Sequence, residues 1–248
     1  MTLAGKTVLI TGGGTGLGAN MAQGFADAGA TVWISGRTIE ALDRVVASRK
    51  NIKSVVCDVT DEQAVAAMFD TVGPTDVVIA NAGASSSAPF GRTSTADWNA
   101  ILDVNLTGVF FTFRAAYEAM KKAPWGRLIA IASTAGLKGY PYVAPYSAAK
   151  HGVIGLTRAL AQETARSGLT VNALCPGFLD TEMTERSITN ITAKTGQTSQ
   201  QARAVLKKMS PQNRLIDPHE VTASALWLCG PGSDGITGQA ISISGGEV

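Results

Sequence analysis

Along this chain, short apolar runs of strand length alternate with longer stretches in which apolar residues recur every three or four positions. The runs are TVLIT (7–11), TVWIS (31–35), KSVVC (53–57), DVVIA (76–80), RLIAIA (127–132), TVNALC (170–175) and AISIS (240–244). Helical patterns lie between most of them, at 17–28, 38–49, 61–72, 95–121, 146–166 and 217–229. Several open on Thr or Asp, whose side chains can accept from the free amides of a first turn. Near-continuous apolar strands imply burial on both faces, and the interleaved helices supply the cover. The pattern predicts an α/β protein with a doubly wound parallel sheet of seven strands and helices on both faces. Ligands then bind beyond the carboxyl ends of the strands.

No Pro-, Gly- or Ser-rich linker, internal repeat or low-complexity tract divides the sequence, so residues 1–248 are expected to form a single domain. The one irregular interval is 181–214, in which TSQQARAVLKKM reads as a helix capped by Thr198 or Ser199. An excursion of that size near the strand ends is expected to be a substrate lid.

Composition narrows the function classes. The 248 residues are 45% hydrophobic and 16% charged with 27 Gly, which suits a well-buried core and excludes a disordered or collagen-like chain. A formal charge of +2 without a basic run argues against nucleic acid or an anionic membrane as partner. Cys57, Cys175 and Cys229 are odd in number, sit beside apolar residues and lack metal-ligand spacing, so they are read as reduced, packed thiols, and no metal site is expected. Only MTLAGK precedes the first apolar run and no apolar stretch reaches ~18 residues, so a soluble, cytoplasmic protein is expected.

Chemistry begins after the first run. TGGGTGLG, Thr11 to Gly18, joins a predicted strand to a predicted helix, the setting in which glycines let the backbone approach a pyrophosphate at a helix N-terminus. A Rossmann-like dinucleotide site is the implication. At the end of the second run, where an NAD site places a carboxylate for the ribose 2′-hydroxyl, the sequence has Gly36 and Arg37. A guanidinium fork suits a 2′-phosphate, so NADP(H) is preferred, with NAD(H) left open.

Tyr146 and Lys150 stand four apart in a helical pattern and so share one face, a spacing that makes a common site feasible but does not establish it. With TGGGTGLG, NAG (81–83), YSAAK (146–150) and PGFLDT (176–181), the sequence resembles the short-chain dehydrogenase/reductase family, and the resemblance runs from about residue 5 to ITGQAISISGG. It is similar in particular to the family's 3-oxoacyl-thioester reductases. The resemblance implies Tyr146 as catalytic acid/base, Lys150 as its partner and a ligand of the nicotinamide ribose, Ser133 as the hydroxyl that polarises the carbonyl, and Asn105 as the fourth member, at a helix kink with a bound water. A free phenol ionises near pH ~10, so a neighbouring ammonium that stabilises the phenolate is what the chemistry needs.

For the cofactor, the resemblance implies contacts from Gly12, Gly14, Thr15, Gly16, Leu17 and Gly18, from Arg37, from Asp58 and Val59 near the adenine, from Asn81, Ala82 and Gly83 beside the adenosine ribose, and from Pro176, Gly177 and Thr181 by the nicotinamide. The family usually has two Asn before Ala-Gly; here Ala80 precedes Asn81. The family's use of the helix at 104–121 and the Tyr146 helix as an interface implies a homotetramer. His151 and His219 are not expected to act as bases.

The implied reaction is hydride transfer between a nicotinamide cofactor and a small-molecule ketone or secondary alcohol. Arg186, Lys194, Arg203, Lys207, Lys208 and Arg214 outnumber Glu182 and Glu185 in the lid interval, which favours an anionic 3-oxoacyl or 3-hydroxyacyl thioester. A solvated helix with outward cations explains the same residues. A non-thioester aryl, cyclic or other hydrophobic ketone under Phe178, Leu179 and Met183 stays open, as does a dinucleotide-binding regulator without turnover, which would not need all four catalytic side chains. A dehydratase or epimerase would usually carry a longer substrate domain.

Overall fold

The computed structural model describes residues 2–248. A parallel sheet in the order β3-β2-β1-β4-β5-β6-β7 runs through it. Its strands are β1 Thr7–Thr11, β2 Thr31–Gly36, β3 Ile52–Val56, β4 Val77–Ala80, β5 Gly126–Ile131, β6 Leu169–Pro176 and β7 Ala240–Ile243. Each lies within two residues of its predicted run.

Alternate side chains serve opposite layers. Val8 and Ile10 of β1 pack with α1 (Gly16–Asp27), α2 (Ile39–Val46) and α9 (Pro218–Leu228), while Leu9 joins the core under α3 (Glu62–Val72), α5 (Gly108–Lys122) and α6 (Ala144–Thr164). Both faces are therefore apolar, and β4, β5 and β6 are buried at every position.

The predicted helix at 95–121 is two helices. α4 (Thr95–Leu102) and α5 are joined by a π-helical turn, Asp103–Thr107, closed by the Gly108 N–H donating to the Asp103 carbonyl. The interval after β6 is also more ordered than expected. It holds two helices, α7 (Glu182–Thr195) and α8 (Ser199–Met209), the second capped by Thr198 in a reciprocal box with Gln201. They share a small core of Ile188, Ala202, Leu206 and Leu215, against which Phe178 and Ile191 pack.

Strand order reverses between β1 and β4, so the chain leaves their carboxyl ends in opposite directions and opens a crevice there. The candidate residues gather at that edge.

Candidate active site

Thr11 closes β1, and its hydroxyl accepts from the backbone N–H of Asn81 (3.0 Å) and of Ala82 (3.1 Å). The Asn81 amide donates back to the carbonyls of Thr11 (2.9 Å) and Gly12 (3.1 Å). The glycine loop and the Asn81–Gly83 segment are thus fixed to one another across the crevice. Gly12 has φ 65°, and a Cβ there would lie 2.8 Å from the Ala82 Cα; a Cβ on Gly18 would lie 2.2 Å from the Gly12 carbonyl oxygen. Only hydrogen fits at either place.

The rest of the loop divides its duties. Leu17 sends its side chain into the core, and Gly14 lies against Ala41 of α2. Thr15 is the N-cap of α1, yet its hydroxyl makes no capping bond and no acidic residue occupies the first turn. Thr181, the N-cap of α7, also leaves its hydroxyl free of a capping bond, and it is the nearest side chain to Gly16. Two hydroxyls without capping bonds and a positive helix end therefore border a loop with no room for a side chain at Gly12 or Gly18, an arrangement that fits a dinucleotide pyrophosphate.

At the ends of β2 and β3, Arg37 is exposed and its guanidinium lies 3.8 Å from Asp58. Asp58 accepts from the Thr60 N–H (3.0 Å) and hydroxyl (2.8 Å). The Thr60 N–H chiefly lowers its pKa against burial, with smaller help from the Thr60 hydroxyl and Arg37. Val59 is buried against Gly108 at the start of α5.

The catalytic candidates converge from three elements. Ser133 lies just past β5, where it caps a short 3₁₀ turn by accepting from the Ala135 N–H at 3.1 Å. Tyr146 and Lys150 share one face of α6. Tyr146 is half-buried; burial raises its pKa, and the neighbouring Ser133 side chain offsets part of that rise. Lys150 is buried, and its ammonium donates to the Ile131 carbonyl at 2.8 Å and sits 5.6 Å from the Tyr146 ring centre. Burial lowers the Lys150 pKa to about 8, opposed by Cys175. The Lys150 ammonium is engaged by the end of β5 rather than by the phenol.

Asn105 sits on the π turn, where the wider ring redirects the backbone and its side chain takes over. Its amide donates to the carbonyls of Ile101 (2.9 Å) and Ala84 (2.7 Å), while the fully buried Oδ1 has no partner in the protein. An orphaned acceptor at this depth suits a water or ligand donor. A Cβ on Gly83 would meet that oxygen at 2.8 Å.

Pro176 ends β6, and the Gly177 N–H donates to the Ile243 carbonyl at 3.0 Å, which carries the chain into α7 over the crevice. Lys194 donates to the Ser87 carbonyl at 3.0 Å, and the Ala88 N–H donates to that of Tyr142 (2.9 Å), a residue held at φ 69°. Outside this group, His151 is on the surface with Nδ1 2.9 Å from the Ser147 carbonyl oxygen, and the His219 backbone N–H donates to the Asp217 cap.

The cation excess at 182–214 is largely consumed. Arg203 pairs with Asp180 at 3.2 Å and with Glu185, Arg214 with Glu220, and Arg186 lies 3.9 Å from Glu182. Among the described residues, only Lys207 and Lys208 of the six make neither an ion pair nor a protein hydrogen bond through the side chain. Two partners, Asp180 and Glu220, lie outside the counted interval, so the sequence tally overstated the free charge.

The sequence reading passed over Thr134, Lys138, Tyr140 and Glu247. The Tyr140 hydroxyl bonds to Thr134 Oγ1 (2.7 Å) and to Glu247 Oε1 (2.5 Å), which also receives Lys138 Nζ (3.1 Å). Lys138 and Tyr140 lie between Ser133 and Tyr146 in sequence, a signal that could have flagged them; nothing local marks Glu247.

A glycine cradle at a strand-order reversal, beside a Ser, Tyr and Lys that can handle a carbonyl oxygen, defines a dinucleotide-dependent oxidoreductase. The sequence model described as short chain dehydrogenase matches residues 6–192, and the chain belongs to that family. It is 36% identical to a D-beta-hydroxybutyrate dehydrogenase of Rhizobium meliloti (strain 1021), covering 97% of this chain and 98% of the relative. It is 34% identical to a 3-oxoacyl-(acyl-carrier-protein) reductase of Aquifex aeolicus (strain VF5), covering 98% of both. A crystal structure of an actinorhodin polyketide ketoreductase variant with NADPH superposes with a TM-score of 0.93 at 32% identity, over 98% of this chain and 97% of the other. The protein is an NAD(P)-dependent oxidoreductase that interconverts a ketone and a secondary alcohol, with a small molecule as substrate.

Proposed function

We propose that the protein is an NADP(H)-dependent ketoreductase for a 3-oxoacyl thioester, working as a single catalytic domain roofed by α7 and α8. The observation that carries the reading is the convergence of Ser133, Tyr146 and Lys150 at the carboxyl end of β5, beside the glycine cradle. The cofactor supplies the hydride that passes to or from the carbonyl carbon.

Gly12, Gly14, Thr15, Gly16, Leu17 and Gly18 hold its pyrophosphate through backbone amides and the Thr15 hydroxyl. Arg37 takes the 2′-phosphate; its Asp58 partner is more than hydrogen-bond distance away, so the fork keeps its donors. Asp58 and Val59 border the adenine, Asn81 to Gly83 the adenosine ribose, and Pro176, Gly177 and Thr181 the nicotinamide. The actinorhodin ketoreductase, solved with NADPH, supports this choice.

Ser133 donates to the substrate oxygen and Tyr146 gives that oxygen its proton as the alcohol forms; oxidation reverses both steps. Lys150 serves the nicotinamide ribose and keeps positive charge near the phenol. Asn105, with its unpartnered Oδ1, holds the water through which Lys150 exchanges protons with solvent.

Relatives include 3-oxoacyl reductases, which supports a 3-oxoacyl substrate. A homotetramer built through α5 and α6, in the cytoplasm, completes the reading; Phe110 on α5 is 40% exposed, which suits a helix face covered by a second copy. No helix among the described residues is long and apolar enough to cross a membrane. The test is a panel of acetoacetyl-CoA, ethyl acetoacetate and aryl and cyclic ketones with NADPH and NADH, followed by cofactor absorbance. Oxidation of NADPH by acetoacetyl-CoA ahead of the aryl and cyclic ketones is expected; no ketone-dependent oxidation of either cofactor would sink the reading.

A further inference from the structure

The loop that joins Ser133 to Tyr146 carries a cation and a phenol held by a carboxylate from the other end of the chain. Glu247 follows β7, and its side chain is 3% exposed. Its Oε1 lies 3.1 Å from Lys138 Nζ and accepts from the Tyr140 hydroxyl at 2.5 Å. Its own N–H donates to Ser244 Oγ at 3.2 Å, and its Oε2 lies against Gly177, where a Cβ would approach it to 3.3 Å. A buried carboxylate without compensation is costly, and here an ammonium and a phenol both satisfy the same oxygen.

This group borders the reacting centre. Tyr140 also hydrogen-bonds Thr134, the neighbour of Ser133, and its ring meets Phe178 edge-on at 6.4 Å between centres. Burial, with Glu247 bonded to it, keeps Tyr140 protonated, and a negative charge on Tyr146 would act in the same direction. The substrate groups flanking the carbonyl must therefore pass a wall whose one cation, Lys138, is already neutralised.

We infer that Glu247 is a specificity-determining residue: by neutralising Lys138 and fixing Tyr140 it makes this wall polar but uncharged, so the cleft takes ketones whose neighbouring acyl group is a neutral ester or thioester and discriminates against a free carboxylate. The inference rests on the ketoreductase reading above and divides its substrates by charge.

Wild type is compared with Glu247→Gln and with the double variant Glu247→Gln, Lys138→Met on ethyl acetoacetate and acetoacetate, with NADPH. A charge-assisted hydrogen bond released in the cleft corresponds to roughly tenfold or more in binding. Wild type should prefer the ester by about that factor; Glu247→Gln should lower the preference about tenfold by improving kcat/KM for acetoacetate, and the double variant should restore it. Calorimetric titration of acetoacetate into each protein should follow the same order without turnover. Wild type that binds or reduces acetoacetate as well as the ester overturns the inference, whether or not the variants fold. So does a folded Glu247→Gln whose preference is unchanged, or a gain that persists in the double variant. Loss of all ketone reduction by wild type would instead remove the ketoreductase reading.

Discussion

In the proposed mechanism Tyr146 is the residue on which turnover depends most directly. Tyr146→Phe removes the proton donor and leaves the ring, the glycine cradle and Arg37 in place. Loss of at least about 10²–10⁴-fold in kcat is expected, with NADP(H) affinity in fluorescence titration nearly unchanged. Arg37→Ala should raise the Kd for NADPH much more than that for NADH, since only the former presents a 2′-phosphate to the fork. Lys150 has a separate signature in stability. Its pKa is about 8 in the fold and returns to about 10.5 on unfolding, so between these values the unfolded chain binds a proton that the fold does not, and stability rises with pH. The thiols act oppositely and later. Burial lifts Cys57 and Cys175 to about 11 and Cys229 to about 12 from a free value near 9, so their contribution falls away above pH 9. Calorimetric melting of the apoprotein should show stability climbing from pH 8 to 9, and Lys150→Met should flatten that climb. A wild-type curve without it would mean that Lys150 is not desolvated as described.

Elements were legible in proportion to how far their own residues dictate them. The strands could be located because both their faces are buried, leaving uninterrupted apolar runs. The helix at 95–121 looked continuous because a π turn adds one residue per ring without breaking the apolar stripe; Asn105 marked the place, but its two hydrogen bonds belong to the tertiary structure. α7 was invisible for a different reason. EMTERSITNITAKT is rich in β-branched threonine, and its few apolar residues form a weak stripe that acquires meaning only against α8 and Leu215. Ser187, Thr189, Thr192 and Thr195 return hydrogen bonds to their own helix carbonyls, and Gly196 at φ 70° ends it. TGGGTGLG and YSAAK stand out in the sequence because each is contiguous, whereas the Lys138–Glu247 contact spans more than a hundred residues. Because Arg203 ties α8 to both Asp180 and Glu185, Arg203→Met should loosen the roof without touching the cradle. KM for the ketone should increase several-fold, hydrogen exchange in α7 and α8 should accelerate, and NADPH affinity should hold.

At the scale of the molecule, association is the open variable with a direct measurement. Sedimentation equilibrium should return four times the 25.6 kDa chain mass, and Phe110→Glu, which places a charge on the α5 face, should shift the population to smaller species. A monomer at micromolar concentration would refute the assembly. The parallel sheet has a further consequence. Every strand points its carboxyl end toward the same rim, so the segments 84–92, 134–142, 178–214 and 244–248 all emerge from it. The hydrophobic layers beneath contribute nothing to that rim except support. Sequence change can therefore accumulate along one edge and alter what the protein accepts, while the parts that fold the chain stay as they are. A directed-evolution library confined to the exposed positions of those four segments should change ketone preference while melting temperatures stay near that of wild type.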